Sequence, residues 1–289
     1  MRTKSFHNIL VVGIGLIGGS ILRNLSENKF SGHLYGLDLN EDIINKAHKL
    51  DLIENSNNNL ETVTGDCLVV LSVPTLSFEN AISLVKESLA VEKVLFTDTF
   101  SSKSEVLLLL DSNPDLKSRF VMSHPIAGSE KSGLVNSTSS LFKNKLAIIS
   151  PHEFNQQDDL ERLQKFWERL GSKVTFLDAQ EHDRIFAKTS HLPHALAYAL
   201  MSYLFNDLEH DVFSFSGGSL EDYTRIASSD SIMWKDIMIS NRDELLKALD
   251  GFKISLDQMF DLIERGNSDD IKEFLDNIKL SRDSLIKEK

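Results

Sequence analysis

One cysteine in the whole chain, Cys67, excludes an internal disulfide. It lies in the apolar run CLVVLSV, which predicts a buried structural thiol and fits a reducing cytoplasm. Positive charge is also scarce: 31 Lys and Arg stand against 43 Asp and Glu, a net charge of −12. That balance argues against a nucleic acid or an anionic membrane surface as partner, because either needs a basic face. An anionic ligand must then be held by local positive groups. Long hydrophobic runs are missing as well. The opening MRTKSFHNILVVGIGLIGG starts basic and turns apolar, as a secretory signal does, and Gly15 and Gly19 have the spacing of a membrane-dimer motif. Four glycines interrupt the run, however, Arg23 arrives too soon for a span of about 20 residues, and no small-residue cleavage site follows. The expectation is a cytoplasmic protein with no membrane partner. Repeats, low-complexity tracts and flexible linkers are absent too, no metal site is expected, and 289 residues suffice for one large domain or two moderate ones.

What is present begins with a glycine pattern. Asn8 to Gly13 reads as a short buried strand, and Gly13, Gly15 and Gly18 of GIGLIG follow it and lead into a helix ending near Leu25. This is the dinucleotide-binding order. The first glycine permits a tight turn, the second lets a pyrophosphate approach the backbone, the third lets helix and strand pack closely, and the helix N–H groups face the phosphates. Leu16 and Ile17 belong to the same loop. A second strand, HLYGLD, ends in Asp38, twenty positions after Gly18, where a carboxylate can accept hydrogen bonds from a ribose diol. The same carboxylate would repel a 2′-phosphate by roughly 3 kcal/mol per unit charge at about 5 Å and an effective dielectric of about 20. NAD is therefore expected over NADP. The other reading of Asp38 is a cap for the helix NEDIINKAHKL.

Strand and helix signals then alternate through Phe176: strands at Cys67 to Val73, Lys93 to Thr97, Phe120 to Ser123, Lys145 to Ser150 and Lys173 to Phe176, with helices after most of them. Such alternation predicts an α/β fold of Rossmann type, a mostly parallel sheet covered on both faces. Ligands in such sheets bind beyond the carboxyl ends of the strands, which brings Val73, Pro74, Asp98, Ser101 and His124 towards a cofactor. From residue 178 the chain reads as helical to its end. The division expected is a dinucleotide-binding domain over 1–177 and an all-helical substrate-binding and dimerisation domain over 178–289.

The junction, Asp178 to Leu204, holds three of the nine histidines and reads as one long helix. Pro193 cannot donate to the Thr189 carbonyl and should kink it between His191 and His194, which are neighbours on one face. Polar ring nitrogens beside a freed carbonyl suggest a site, while two hydrogen-bonded core histidines are the plainer reading. Further on, Leu245, Leu249, Phe252, Leu256, Met259 and Ile263 step by four and three, a continuous seam that suits either a monomer core or a dimer.

Three stretches are too polar and too specific for ordinary loops: DTFSSK from Asp98, HPIAGSEKSG from His124, and GGSLEDYTRIASSDSIMWKDI from Gly217. With GIGLIGG and SHLPH they resemble the prephenate dehydrogenase family, tyrosine-biosynthesis enzymes that include arogenate and cyclohexadienyl dehydrogenases. The resemblance covers nearly the whole chain, with the motifs in order. It implies an NAD-linked oxidative decarboxylation of prephenate to 4-hydroxyphenylpyruvate and favours a homodimer; 289 residues leave no length for an added mutase or regulatory domain, so a monofunctional enzyme is expected, and tyrosine, if it regulates the enzyme, would compete in the substrate pocket. It also implies roles. His124 would hydrogen-bond the substrate C4 hydroxyl and accept its proton, with Ser101 bonded to both. Arg225 would pair with a substrate carboxylate, a task that suits a guanidinium fork. His194 and Trp234 would line the substrate pocket, Glu130 and Asp222 would join an ionic network with the arginine, and His182 would lie near the cofactor.

Each role has a rival. His124 before a proline can merely close a turn, Ser101 can be the N-cap of its helix with Ser104 in reserve, and Arg225 can pair with Asp222. Trp234 is most often core. The family usually carries glycine before the motif serine, and here Phe100 stands there, which leaves Ser102 as an alternative to Ser101. Among other classes, β-hydroxyacid-type dehydrogenases place asparagine three positions after a lysine on the long helix, whereas Lys188 is followed at that distance by His191. An NAD-sensing protein would not need Ser101, His124 and Arg225 together, and a Ser/His hydrolase would need a GxSxG elbow. Prephenate against arogenate stays open, with His194 leaning to the keto acid.

Overall fold

The computed structural model describes residues 5–58, 60, 63, 65–89, 94–128, 131–206 and 215–287. Strands β1 (Asn8–Val12), β2 (His33–Leu37), β3 (Cys67–Leu71) and β4 (Val94–Asp98) form a parallel sheet in the order β2-β1-β3-β4. A second sheet runs β5 (Met122–Pro125), β6 (Leu146–Ser150), β7 (Lys173–Phe176), with β5 antiparallel to β6 and β6 parallel to β7. A single bridge links the two: Phe96 N–H donates to Arg119 C=O at 2.7 Å and Val121 N–H to Phe96 C=O at 2.9 Å.

The strands of the parallel sheet are almost wholly buried because both faces are covered, whereas β7 is largely exposed. Ile9, Val11, Leu68, Val70 and Leu95 point to one core, which they share with Ile21 and Leu25 of α1 (Leu16–Glu27) and Leu163 and Trp167 of α6 (Gln157–Arg169). Their alternate neighbours Leu10, Val12, Val69, Leu71 and Phe96 join an opposite core with Phe78 and Val85 of α3 (Phe78–Ser88) and Val106 and Leu110 of α4 (Ser104–Asp111). At about 1.5–3 kcal/mol for each fully buried aliphatic side chain, these two layers supply the main drive to fold. Between these elements lie α2 (Glu41–Lys49), capped by Asn40 rather than Asp38, and the short α5 (Pro114–Lys117).

After β7 come α7 (Ala179–Phe186), a π-helical turn over Ala187–His191, and α8 (Leu192–Asn206), followed by α9 (Gly218–Thr224) and α10 (Ser231–Ser240). The expected long helix is thus present. Where a proline kink is expected, the five residues ahead of Leu192 form a wider turn, a feature frequent at functional sites. By packing, Met1–Arg242 is one compact unit and Asp243–Lys289 another, so the change from strands to helices at 177 lies inside the first. The second unit holds most of α11 (Arg242–Arg265) and all of α12 (Ser268–Lys287), where Leu256, Met259 and Ile263 of the seam are exposed in the single chain. No helix among the described residues is long and apolar enough to cross a membrane.

The chain leaves β1 for β2 on one side and returns to β3 on the other, so the loops after β1 and β3 diverge and open a crevice at the carboxyl edge of the sheet. Gly13 makes its turn at φ +87°, and a Cβ on Gly18 would stand 2.1 Å from the Gly13 carbonyl oxygen, whereas a Cβ on Gly15 would meet nothing within 4 Å. Gly18→Ala is therefore expected to destabilise by about 1–3 kcal/mol, with a matching fall in melting temperature, while Gly15→Ala melts like the parent. Equal melting of both variants in calorimetry would sink this reading of the loop.

Candidate functional site

The crevice widens into a cavity of about 900 Å³. Gly15, Leu16, Ile17, Val73 and Pro74 line it together with Ser101, His124, His194, Arg225 and Trp234. Residues far apart in sequence thus meet in one cavity. The Gly15 backbone, open to the cavity with no Cβ, begins α1 without a side-chain cap, which suits the approach of a pyrophosphate to the helix N-terminus.

His124 sits on β5 because the end of that strand is bound to β4. The Asp98 carboxylate accepts from the backbone N–H of Ser123 at 3.0 Å and of Phe100 at 3.1 Å, and it pairs with Lys103, whose Nζ also donates to the Ser123 carbonyl at 2.7 Å. Asp98 and Lys103 are fully buried. Burial pushes the Asp98 pKa up and the Lys103 pKa down, against their mutual attraction. Lys103 is a residue that the sequence reading missed, although DTFSSK contains it.

Behind His124 lies a second group. His124 Nδ1 is 2.9 Å from His182 Nε2, and His182 Nδ1 is 2.8 Å from Asp183 Oδ1. His182 is completely buried and does not line the cavity, so its place is behind His124 rather than on the wall where a cofactor would lie. Phe186 packs on both rings, at 5.0 Å from His124 and 4.5 Å from His182. Burial, then the neighbouring His182, Lys103 and His191, hold the His124 pKa well below its usual value, so the ring is neutral at neutral pH. Burial also lowers His182, against the pull of Asp183.

The π-helical turn places Thr189, Ser190 and His191 in succession along the cavity, with His194 beyond. His194 Nδ1 takes up the Ser190 carbonyl at 2.9 Å, and its ring stacks on Trp234 at 3.7 Å. His191 is buried, bonded through Nδ1 to Asn241, with its pKa lowered to about 4 chiefly by burial. The pair thus divides: His191 is a hydrogen-bonded core residue at the wall, and His194 faces the site. Trp234 Nε1 is buried with no hydrogen-bond partner, a donor that a ligand would satisfy.

Other expected residues fall as follows. Ser101 reaches the cavity, whereas Ser102 is buried with its Oγ unpartnered. Ser101 does not cap α4; the Asp183 carboxylate does, from 80 residues away. Phe100 is 3% exposed and packs on Phe78, and it is not among the residues of positive φ, so the position does not need glycine. Asp38 accepts from Ile14 N–H at 2.8 Å and from Asn40 N–H at 2.9 Å, which ties β2 to the glycine loop, and it stands off the cavity wall. Gly13 and Gly18 likewise act through the loop backbone. Asp222 lines a smaller neighbouring cavity that shares Arg225. Glu130 lies outside the described residues. Lys131 and Lys145, unanticipated, line the main cavity and supply local positive charge. Among the described residues no cluster of His, Cys, Asp and Glu is placed to hold a metal ion.

The family profile described as prephenate dehydrogenase, nucleotide-binding domain, matches residues 21–176, and that described as prephenate dehydrogenase, dimerization domain, matches residues 178–277. The chain belongs to the prephenate dehydrogenase family. Among curated relatives, the prephenate dehydrogenase of Bacillus subtilis is 28% identical over 96% of this chain and 76% of its own length. The cyclohexadienyl dehydrogenase of Zymomonas mobilis is 29% identical over 97% of this chain and 96% of its own. Among solved structures, the prephenate dehydrogenase of Aquifex aeolicus, crystallised with hydroxyphenyl propionate and NAD+, is 36% identical with a TM-score of 0.90, covering 98% of this chain and all of that one. This prephenate dehydrogenase family member is accordingly an oxidoreductase with a nucleotide-binding domain.

The buried histidines carry a pH cost. His124, His182 and His191 all have folded pKa values below the unfolded one, so the unfolded chain binds more protons and stability is complete above about pH 6.5 and declines as pH falls towards about 4. The urea midpoint is expected to drop between roughly pH 7 and pH 5, and His191→Asn should flatten that drop. An identical slope in parent and variant would show that His191 does not contribute.

Proposed function

We propose that the chain catalyses the NAD-dependent oxidative decarboxylation of prephenate to 4-hydroxyphenylpyruvate, a step of tyrosine biosynthesis, in the cytoplasm. The observation that carries this is the meeting, in one cavity, of the open Gly15 backbone, a neutral histidine at 124 and a guanidinium at 225. The Aquifex relative bound to NAD+ and a hydroxyphenyl compound supports the same pairing of ligands.

In this reading the loop over 13–18, Val73 and Pro74 would hold NAD, with Asp38 towards its ribose, and the bound nicotinamide would supply the hydride acceptor for C4 of the substrate ring. The chain's residues handle the remainder. His124 takes the proton of the C4 hydroxyl, a task for which a neutral imidazole is ready, and Ser101 hydrogen-bonds the same hydroxyl. The bond to the ring carboxylate breaks, its electrons enter the ring, and carbon dioxide leaves as the ring becomes aromatic. Arg225 pairs with a substrate carboxylate, His194 lines the pocket around the side chain, and Trp234 Nε1 donates to a ligand oxygen. Asp222, on the neighbouring cavity that shares Arg225, belongs to the ionic surroundings of the arginine. Tyrosine, which shares the product's ring, competes for this pocket.

Arogenate differs from prephenate in carrying an ammonium where prephenate has a ketone, and an ammonium calls for a carboxylate. Among the described residues two carboxylates line the cavity: Asp230 caps α10 by accepting from Ile232 and Met233 N–H through Oδ1, and Asp236 accepts from Leu76 N–H through Oδ2 while its buried Oδ1 has no hydrogen-bond partner. The preference for the keto acid rests on His194 in the pocket.

Initial rates of NADH formation are expected with prephenate and NAD, and to be lower with arogenate or with NADP. His124→Ala should cut turnover by roughly 10² to 10⁴ with NAD binding retained, and Arg225→Gln should act mainly by raising the KM for prephenate. NAD binding without turnover of either substrate would remove the proposed reaction. A homodimer through the helical part, in keeping with the matched dimerization domain, predicts a solution mass of about twice 32.5 kDa by light scattering, and a mass of one chain would exclude it.

A further inference from the structure

A histidine can accept a proton only at a ring nitrogen that does not already carry one, so which tautomer His124 adopts decides whether it can work at all. The residues behind it determine that choice. Asp183 accepts from the backbone N–H of Lys103 through Oδ1 and of Ser104 through Oδ2, each at 2.8 Å. Both donors belong to the first turn of α4, where the helix dipole also favours negative charge. Burial opposes ionisation of Asp183, but these bonds and that from His182 outweigh it and hold its pKa below the usual value.

An ionised carboxylate only accepts. The proton in the 2.8 Å contact between Asp183 Oδ1 and His182 Nδ1 therefore sits on His182 Nδ1. His182 is neutral, so its Nε2 is bare and can only accept. Across the 2.9 Å contact, His124 Nδ1 must then be the donor. A neutral His124 with its proton on Nδ1 has none on Nε2, and Nε2 is the nitrogen left for a ligand in the cavity.

We propose that His182 and Asp183 are positioning residues that lock His124 as the Nδ1–H tautomer and so present an unprotonated Nε2 to the substrate hydroxyl. This rests on the reaction proposed above and deepens it. When the C4 hydroxyl proton moves to Nε2, His124 becomes an imidazolium that keeps its Nδ1–H on His182. Lys103 and His191 face that cation unfavourably. Asp183, one ring away, carries the countercharge. The logic matches a carboxylate that orients a catalytic imidazole in hydrolytic triads, with a second imidazole interposed.

The test is a long-range proton–nitrogen correlation spectrum of the full-length protein with ¹⁵N-labelled histidine at neutral pH, assigned with His124→Ala and His182→Gln. The expected result is a bare Nε2 and a protonated Nδ1 on His124. In His182→Leu the lock is lost: His124 should show averaged tautomers and kcat should fall by roughly 10-fold or more with KM for prephenate nearly unchanged, while His182→Gln, whose side-chain oxygen can accept from Nδ1–H, recovers part of kcat. A wild-type His124 protonated on Nε2 overturns the proposal, as does parental kcat in His182→Leu. Should that variant not fold, the wild-type spectrum alone decides. Failure of the wild type to oxidise prephenate would overturn the reaction but leave the tautomer readable, so the two failures are distinct.

Discussion

Two charges removed from water organise this molecule. Asp98 and Lys103 have no exposed surface, and a buried pair of this kind is retained only if its remaining hydrogen-bonding capacity is used. Here that capacity serves assembly: the carboxylate gathers N–H groups from the loop after β4 and from β5, and the ammonium takes the carbonyl of Ser123. The parallel sheet is thereby fastened to the strand that bears His124, across a seam where the ladder itself offers only the bridge at Phe96 and Phe120. Ser123 adds its hydroxyl to Thr97, to the Asp98 carbonyl and to Trp167. Removing one charge of such a pair leaves the other stranded, at a cost of about 3–5 kcal/mol, so the pair acts as an all-or-none clamp on the position of His124.

From that clamp outward, the same few elements serve both fold and site. Lys103 ends the loop whose next residues start α4, and the N–H groups of that start bind Asp183 on α7. Asn241 grips the Asp183 carbonyl and His191 together. The first turn of α4 is therefore capped from a distant helix by the carboxylate that also holds His182. Helix capping and orientation of the imidazole are one interaction, which explains why no local residue caps α4.

The periodic parts of this arrangement are legible in the sequence. Alternation of buried strands with amphipathic helices revealed the Rossmann-type sheet, and the glycine spacing located the crevice, because each signal arises from local geometry. Ser101, His124, His194, Arg225 and Trp234 could be named together only through motif resemblance, and the structure brings them to one cavity. What stayed hidden depends on contacts between distant residues. Asp183 acts on a turn 80 positions earlier, and nothing in EHDRIF marks its carboxylate as a cap. His182, which the resemblance puts near the cofactor, is buried in the layer behind His124, a depth that sequence order does not carry. Phe100 looked like an obstacle in place of glycine, yet its ring turns into the core beside Phe78 and the backbone keeps an ordinary φ. The proline in SHLPH signalled a break, but not that the break would be a widened turn feeding three successive residues to the cavity.

The net charge of −12 sets a final constraint on how such a site could draw the dicarboxylate substrate proposed for it. At physiological ionic strength the Debye length is about 8 Å, so acidic groups scattered over the surface contribute little at the cavity mouth. Lys131, Lys145 and Arg225 at the wall act within that range, whereas Lys103 is paired with Asp98 and adds no net charge. The attraction is thus local and short-ranged. It favours capture of an anion already near the opening over steering from afar, while the neutrality of His124 comes from burial and from the neighbouring His182, Lys103 and His191. In the proposed reaction the substrate carboxylates would bring negative charge near that imidazole and offset the cost of protonating it, so that His124 would take up its proton only once the hydroxyl is in place.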